Sequence, residues 1–185
     1  LAPPLLTALG VVREKERGSI YNIYSSTVTR LEFLVGKLAP YVAISAFNIL
    51  VLWAMAVYLF GAPFKGNGLF FYATALLFVF ITTGQGLIVS LLVSSQQAAA
   101  IITAVLSIVP TILYGGLLVP VSALGPETKV IAHLFPAMYF TNIVHGTFLK
   151  GVGLEVLWRD VLILTLYATT LLSVGYWLFR KRPAV

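Results

Sequence analysis

The side chains that could carry catalytic chemistry are few, and their spacing does not fit a known active site. His133 and His145 lie twelve positions apart, which is not the H-E-x-x-H spacing of a helical zinc site. No serine stands in G-x-S-x-G, and no G-x-x-x-x-G-K-[ST] element is present to hold nucleotide phosphates. The lack of cysteine excludes disulfides and thiolate metal sites. We therefore expect no catalytic residue, no metal site and no cofactor bound by this segment, so that any energy source lies elsewhere.

The most informative charged stretch is the run 13–19, with the sequence Arg-Glu-Lys-Glu-Arg-Gly-Ser. Its alternating charges permit pairs at spacings of i,i+3 and i,i+4 at a helix end, each worth about 0.2 to 0.5 kcal/mol. Two interpretations stay open: a solvated helix terminus, or a surface that contacts a cytoplasmic partner. In both, the run predicts a cytoplasmic hinge between a short apolar segment and a long membrane-competent one.

Composition determines the kind of element that must position these residues. Hydrophobic residues make up 59% of the chain, charged residues make up 10%, and the mean hydropathy is +0.98. A soluble domain could not bury that much apolar surface. Runs of about 20 apolar residues match the roughly 30 Å hydrocarbon thickness of a bilayer at 1.5 Å per helical residue. The chain is therefore predicted to be an integral membrane protein of the all-α class, a polytopic transmembrane helical bundle.

Four stretches are long enough to cross the bilayer. They are 38–60, 69–93, 98–118 and 161–179. Pro110 is expected to kink the third. The opening 1–12 is too short and carries Pro3 and Pro4, so we interpret it as the end of a truncated span of a longer polypeptide. The expected organisation is a truncated span (1–12), a charged hinge with a surface helix (13–37) and a transmembrane domain (38–182).

The segment 128–150 is apolar enough to suggest a fifth crossing, but it contains His133, Pro136, Asn142 and His145. With four crossings, one side holds Arg13, Lys15, Arg17, Arg30, Lys37, Arg180, Lys181 and Arg182. The other side holds Lys65, Lys129, Lys150 and Arg159. The positive-inside rule places the richer side and the C-terminus in the cytoplasm. A fifth crossing would break this asymmetry, so 128–150 is predicted to be an extracytoplasmic re-entrant helical hairpin. The net charge of +6 is then explained by topology and does not indicate a nucleic-acid partner.

An amphipathic helix is predicted ahead of the first full span. Its apolar positions recur at helical spacing at Ile20, Ile23, Tyr24, Thr27, Val28, Leu31, Leu34 and Val35. Such a helix lies at a membrane surface. It is either an interfacial anchor that joins two spans or a coupling element that touches a cytoplasmic motor.

Three stretches together carry a family resemblance. The first is the charged run with Glu32 and the stretch 36–41, Gly-Lys-Leu-Ala-Pro-Tyr. The second is 115–120, Gly-Gly-Leu-Leu-Val-Pro, and the third runs from 135–140, Phe-Pro-Ala-Met-Tyr-Phe, through 148–151, Phe-Leu-Lys-Gly. In order, spacing and sidedness they resemble the membrane subunits of ABC exporters of the second type, the ABC-2 permease family. The resemblance covers nearly the whole chain.

The resemblance implies a half-transporter of about six spans, of which this chain holds the later four and a trace of the second. It implies a second permease half, as a homodimer or heterodimer, and a separate or fused nucleotide-binding domain that binds ATP and Mg. In the family the surface helix, here about 18–36, contacts that domain. The residues assigned to coupling are Arg13, Glu14, Lys15, Glu16, Arg17, Gly18, Tyr24, Arg30, Glu32 and Lys37. The cell membrane, bacterial and inner, is the expected location.

The polar patch Thr82-Thr83-Gly84-Gln85-Gly86 is the polar feature that stands out inside the predicted spans. It serves either helix packing or substrate contact. The tentative substrate path is assigned to Gln85, Tyr114, Gly115, Gly116, Tyr139 and Phe140, although interfacial belts also explain aromatic residues. Because the path lacks charge, the expected cargo is hydrophobic, amphipathic or drug-like and moves out of the cytoplasm. The alternative function is a non-transporting membrane scaffold or assembly factor.

Overall fold

The computed structural model describes residues 2–19, 28–116, 123 and 125–179. The helices of these residues are α1 (Ala2–Glu16), α2 (Arg30–Ala54), α3 (Gly68–Leu92), α4 (Gln96–Tyr114), α5 (Pro126–Ala132), α6 (Pro136–His145) and α7 (Leu154–Leu178). A π-helical turn extends α2 over Met55–Leu59, and another extends α6 over Gly146–Lys150. No strand occurs within the described ranges.

Four of these helices are long and apolar enough to cross a membrane. Their candidate spans are Leu31–Leu59, Gly68–Leu92, Gln96–Tyr114 and Leu154–Leu178. Because each exceeds or approaches the length that a bilayer requires, the chain is a multi-pass membrane protein. The four crossings predicted from the sequence correspond to these helices.

Side-chain caps determine where three of the long helices begin. Thr29 and Glu32 form a reciprocal capping box at the start of α2. The side chain of Asn67 accepts from Leu69 N and Phe70 N, and the hydroxyl of Ser95 accepts from Ala98 N. Each cap satisfies backbone donors that have no intrahelical partner.

The helix boundaries differ from the predicted segments at several places, including the last span, which begins at Leu154 instead of at 161. Helix α2 begins at Arg30, so residues 30–37 are continuous with the first span instead of forming a separate surface element. Helix α1 runs through the predicted boundary at residue 12 and includes the first part of the charged run. The rest of the predicted surface helix, 20–27, lies outside the described residues.

The ends of five helices meet at one end of the bundle, which we call the charged end. Here α1, α3 and α7 terminate and α2 and α4 begin, as the contacts of Glu14, Lys15, Glu16 and Lys37 below establish. A buried apolar cluster lies beside these contacts. Its members are Val11, Phe33, Leu34, Leu38, Leu87 and Phe179. Helices α1, α3 and α7 therefore run parallel to one another and antiparallel to α2 and α4, and α1 packs against α3 and α4.

Helices α5 and α6 lie away from the charged end. The hydroxyl of Tyr167, midway along α7, donates to Leu134 O at 2.6 Å, in the turn between α5 and α6. From this turn α6 returns to the beginning of α7, where Asn142 Nδ2 lies 3.2 Å from Asp160 Oδ1. The second buried cluster joins α6 to α3 and α7. The turn between α5 and α6 therefore contacts the middle of α7, and α6 contacts its first part.

Candidate functional site

Lys15 caps the C-terminal end of α3. Its Nζ donates to Ser90 O at 2.5 Å, to Leu91 O at 3.1 Å and to Val93 O at 3.2 Å. The last carbonyls of a helix lack intrahelical donors and carry partial negative charge, so an ammonium group with three donors matches them. Partial burial lowers the pKa of Lys15 from its ordinary value of 10.5. One side chain of α1 therefore holds the end of α3.

Glu16 holds the beginning of α4 in the same way with opposite charge. Its carboxylate accepts from Gln96 N at 2.8 Å and from the side-chain amide of Gln96. A carboxylate at a helix N-terminus satisfies a free backbone donor and opposes the positive end of the helix dipole. These two hydrogen bonds lower the pKa of Glu16 from its ordinary value of 4.5.

Glu14 links α1 to α2 through Lys37. The two charged atoms lie 2.5 Å apart, and both side chains are mostly shielded from solvent. Lys37 Nζ also lies 5.9 Å from the ring centroid of Phe33, which stacks on Phe179 with centroids 4.2 Å apart. Since Phe179 follows α7, this end of α2 contacts both α1 and α7.

The other residues assigned to coupling have different surroundings. Glu32 forms the capping box of α2, Arg13 and Arg17 are exposed, and Gly18 adopts φ +73° in the turn after α1. Tyr24 lies outside the described residues, as does the side chain of Arg30. The structure thus brings Glu14, Lys15, Glu16 and Lys37 together and leaves the two arginines on the surface.

Sequence reasoning did not identify Ser90, Leu91, Val93 and Gln96 as partners of the charged run. They lie 75 to 80 positions away along the chain. The signal that was present is the polar stretch 94–97, Ser-Ser-Gln-Gln, between two predicted spans on the same side as the hinge. Opposite charges near a helix end and a helix start are typical of such capping contacts.

The polar patch of α3 mainly serves close helix packing. A Cβ atom at Gly86 would lie 2.1 Å from Pro4 O, a backbone atom of α1, so α1 and α3 approach closely there. The hydroxyls of Thr82 and Thr83 both donate to Val79 O. Two residues of the patch also line cavities: Thr82 lines one cavity and Gln85 lines two.

The larger of these, which we call the central cavity, has a volume of about 260 Å³. Its walls come from α1, α3, α4 and the start of α6. The lining residues are Pro4, Phe78, Thr82, Gln85, Leu106, Ser107, Ile108, Pro110, Thr111, Ile112, Phe135, Pro136 and Ala137. An adjoining cavity of about 250 Å³ shares Gln85, Leu106 and Phe135 with it and extends to Leu92 and Val93 near the charged end. None of the lining residues is ionisable, so the two cavities suit uncharged, largely apolar molecules.

None of the remaining residues assigned to the substrate path is among the lining residues of the central cavity, but two of them stack on residues of its walls. Tyr114 stacks on Phe135 with centroids 5.4 Å apart, and Phe140 stacks on Phe78 at 4.3 Å, so both support cavity walls. Gly115 donates its N–H to Thr111 O at the end of α4, and Gly116 adopts φ +76°. Tyr139 is buried, and its hydroxyl donates to His133 O at 2.9 Å, which places it in the packing between α6 and α7.

The histidines do not assemble a metal site. His133 Nδ1 lies 2.6 Å from Lys129 O, one helical turn earlier. Among the described residues no three side chains of His, Asp or Glu lie close enough to hold a metal ion.

Comparison with known proteins agrees with this architecture. The family model described as "ABC-2 type transporter" matches residues 1–149. Two Escherichia coli (strain K12) proteins match 96% of this chain: "Probable multidrug ABC transporter permease YbhS", 31% identical over 179 residues, and "Probable multidrug ABC transporter permease YbhR", 29% identical over 178 residues. "ABC transporter G family member 20" of Dictyostelium discoideum is 27% identical over 150 residues, which are 81% of this chain and 20% of that protein. The chain spans about half the length of the two bacterial relatives, at 47% and 48%.

Proposed function

This chain belongs to the ABC-2 type transporter family, and we propose that it forms the later part of the permease of an ATP-driven ABC exporter. The membrane part of such a transporter supplies the path and does not hydrolyse ATP. A separate or fused nucleotide-binding domain would bind ATP and Mg, and a second permease half would complete the path. The proposed location is a bacterial inner membrane, with the charged end and the C-terminus in the cytoplasm.

The contacts of the charged run are the single observation that best supports a coupling role. Glu14, Lys15 and Glu16 connect α1 to the ends of α2, α3 and α4. A partner that displaces the hinge therefore acts on several membrane helices at once, which is what mechanical coupling to ATP binding requires. Arg13 and Arg17 are exposed beside these contacts and are the charged side chains of the run that a cytoplasmic domain would reach.

The proposed cargo is hydrophobic, amphipathic or drug-like and moves outward. The uncharged central cavity supports this class of cargo, because desolvating a charged ligand among apolar walls would be costly. The names of the two bacterial relatives contain the word "multidrug", which is consistent with such cargo.

We also propose that α5 and α6 form a re-entrant hairpin on the extracytoplasmic side and that the charged end lies on the cytoplasmic side of the membrane. The contact between Tyr167 and Leu134 at mid-bundle supports the first. The lysines and arginines at the two ends support the orientation, since Lys15 and Lys37 lie at the charged end while Lys129 and Lys150 belong to the α5–α6 region.

The experiment is purification of the full-length parent protein from its native membrane, followed by mass spectrometry of what accompanies it. An ATPase subunit, or an ATPase domain in the parent chain, with ATP-dependent efflux of a lipophilic dye from reconstituted vesicles, is the expected result. Absence of both an ATPase and ATP-dependent efflux would contradict the proposal and favour a membrane scaffold.

A further inference from the structure

The hydroxyl groups of α4 are unusual within this bundle. On α7, Thr165, Thr169, Thr170 and Ser173 each donate to a carbonyl three or four residues earlier. This local bond is the usual way to satisfy a hydroxyl in a membrane helix. On α4, the hydroxyl groups of Thr103, Ser107 and Thr111 have no hydrogen bond within the described part of the chain, and Thr103 Oγ1 is fully buried without a partner there.

These three residues share one face of α4, because they are spaced four positions apart. Two of them, Ser107 and Thr111, line the central cavity. A hydroxyl that faces an apolar space without a partner carries a desolvation cost, which a suitable ligand would remove.

Pro110 adds a hydrogen-bond acceptor to the same wall. Proline has no N–H, so the carbonyl of Leu106, four residues earlier, lacks its usual helical donor. Both Leu106 and Pro110 line the central cavity. Pro110 therefore leaves a backbone acceptor at Leu106, the residue before Ser107.

Gln85 supplies an amide group from α3. Its side chain lines both cavities and has no hydrogen bond to any other described residue. An amide both donates and accepts, whereas Phe78, Ile108, Ile112 and Phe135 provide apolar walls. The central cavity thus combines a small polar group of atoms with a mostly apolar surface.

We propose that the central cavity is a binding site for an uncharged amphipathic molecule with an aromatic or alicyclic body and one amide- or hydroxyl-type group. Gln85, Ser107 and Thr111 bind the polar group, and the apolar walls enclose the body. This site assigns recognition of the proposed cargo class to specific side chains, so the inference rests on the proposed function. The cavity volume of about 260 Å³ suits a compact ligand of one or two rings, since it is below the roughly 300 to 1,000 Å³ of drug-sized pockets.

The test uses two probes of similar shape on the full-length parent protein in detergent. Benzanilide carries a central amide, and trans-stilbene replaces that amide with a carbon–carbon double bond. Each competes with the photolabel 4-azidobenzanilide, and labelled peptides are identified by mass spectrometry. The expected result is labelling of peptides from α3, α4 and the start of α6, with benzanilide competing at about fivefold to tenfold lower concentration than trans-stilbene.

Variants assign the preference to the polar side chains. Thr111→Val keeps the shape of the residue and removes its hydroxyl, and Gln85→Leu removes the amide. Each is expected to lower the preference for benzanilide by about threefold or more while leaving competition by trans-stilbene unchanged. The control is Thr170→Val on α7, whose hydroxyl is satisfied by Leu166 O at 2.7 Å; it should keep the full preference.

Equal competition by the two probes in the wild-type protein, or labelling confined to other peptides, would overturn the site. Because Thr111→Val changes so little volume, this variant tests whether a polar side chain of the cavity causes the preference for benzanilide, even if Gln85→Leu fails to fold. ATP-dependent dye efflux measured on the same preparation separates this inference from the proposed function. Efflux without amide preference rejects the site alone, whereas amide preference without an ATPase rejects the transporter assignment alone.

Discussion

The charged end and the central cavity differ in whether their polar side chains have hydrogen-bond partners. At the charged end Lys15, Glu16 and the Oε1 atom of Glu14 have partners on other helices of the chain, while Oε2 of Glu14 is buried with no partner among the described residues. In the central cavity the hydroxyls of Ser107 and Thr111 and the amide of Gln85 have none among the described residues. Satisfied polar groups hold helices in place, while unsatisfied ones in an apolar space are available to a ligand. The comparison separates the part of the molecule that maintains geometry from the part that can recognise cargo.

The contact between Gly86 and Pro4 joins these two regions, and breaking it is expected to have the largest effect. In Gly86→Ala, the new Cβ would lie 2.1 Å from a backbone oxygen, so α1 must move away from α3. We expect a loss of about 3 kcal/mol in stability, measured as lower thermal stability of the full-length protein in detergent. The control is Gly36→Ala, where nothing lies within 4 Å of the new atom; destabilisation as large as that of Gly86→Ala would show that the contact is unimportant.

Removal of the Lys15 ammonium group tests the charged end directly. Lys15→Met leaves the carbonyls of Ser90, Leu91 and Val93 without their donor, and we expect a loss of about 2 kcal/mol. Thermal stability and protease sensitivity of the connection between α3 and α4 are the measurements. Arg17→Met, at an exposed position of the same run, should change neither. Equal behaviour of the two variants would mean that Lys15 does not cap α3.

Exchange of the Glu14–Lys37 pair tests whether this contact transmits motion as well as holding α1 to α2. Glu14→Lys places two cations together and should cost about 1 kcal/mol, with weaker coupling of ATP hydrolysis to dye efflux. The double variant Glu14→Lys with Lys37→Glu should recover most of both properties. Recovery of stability without recovery of coupling would show that the carboxylate also contacts a partner.

The Glu16–Gln96 contact should give the smallest effect, and one that depends on pH. Because its hydrogen bonds lower the pKa of Glu16 below 4.5, its contribution to stability is complete above that value and disappears as the pH falls through the lowered pKa. The difference in melting temperature between the wild-type protein and Glu16→Ala should therefore be present at pH 7 and vanish under strongly acidic conditions. A difference that is independent of pH would exclude this carboxylate as its source.

The four long helices and the family could be predicted because both depend on properties that are local or cumulative along the chain. Apolar runs such as 69–93 have the length that a bilayer demands. The start of α2 was also accessible, since Thr29 and Glu32 have the T-x-x-E spacing of a capping box. The amphipathic pattern of the predicted surface helix extends across this capping box and obscures the helix start that it marks.

The contacts within the site were not predictable in the same way. The partners of Lys15 and Glu16 are distant in sequence and include backbone atoms, which carry no residue-specific signal. The central cavity depends on how α3, α4 and α6 pack, so Gln85 could be named while Ser107 and Thr111 could not be distinguished from other hydroxyls. The lack of hydrogen bonds at the hydroxyl groups of α4 depends on the folded structure, and residue types alone do not indicate it.

The capping of α3 by Lys15 also bears on how the protein is made. Lys15 is synthesised long before Ser90, to which its side chain donates at a separation of 75 positions, and Glu16 precedes Gln96 by 80 positions. While the ribosome adds α2 and α3, the partners of Lys15 and Glu16 at the end of α3 and the start of α4 do not yet exist. Helix α1 can therefore complete its contacts with α3 and α4 only after the first turn of α4 has been synthesised.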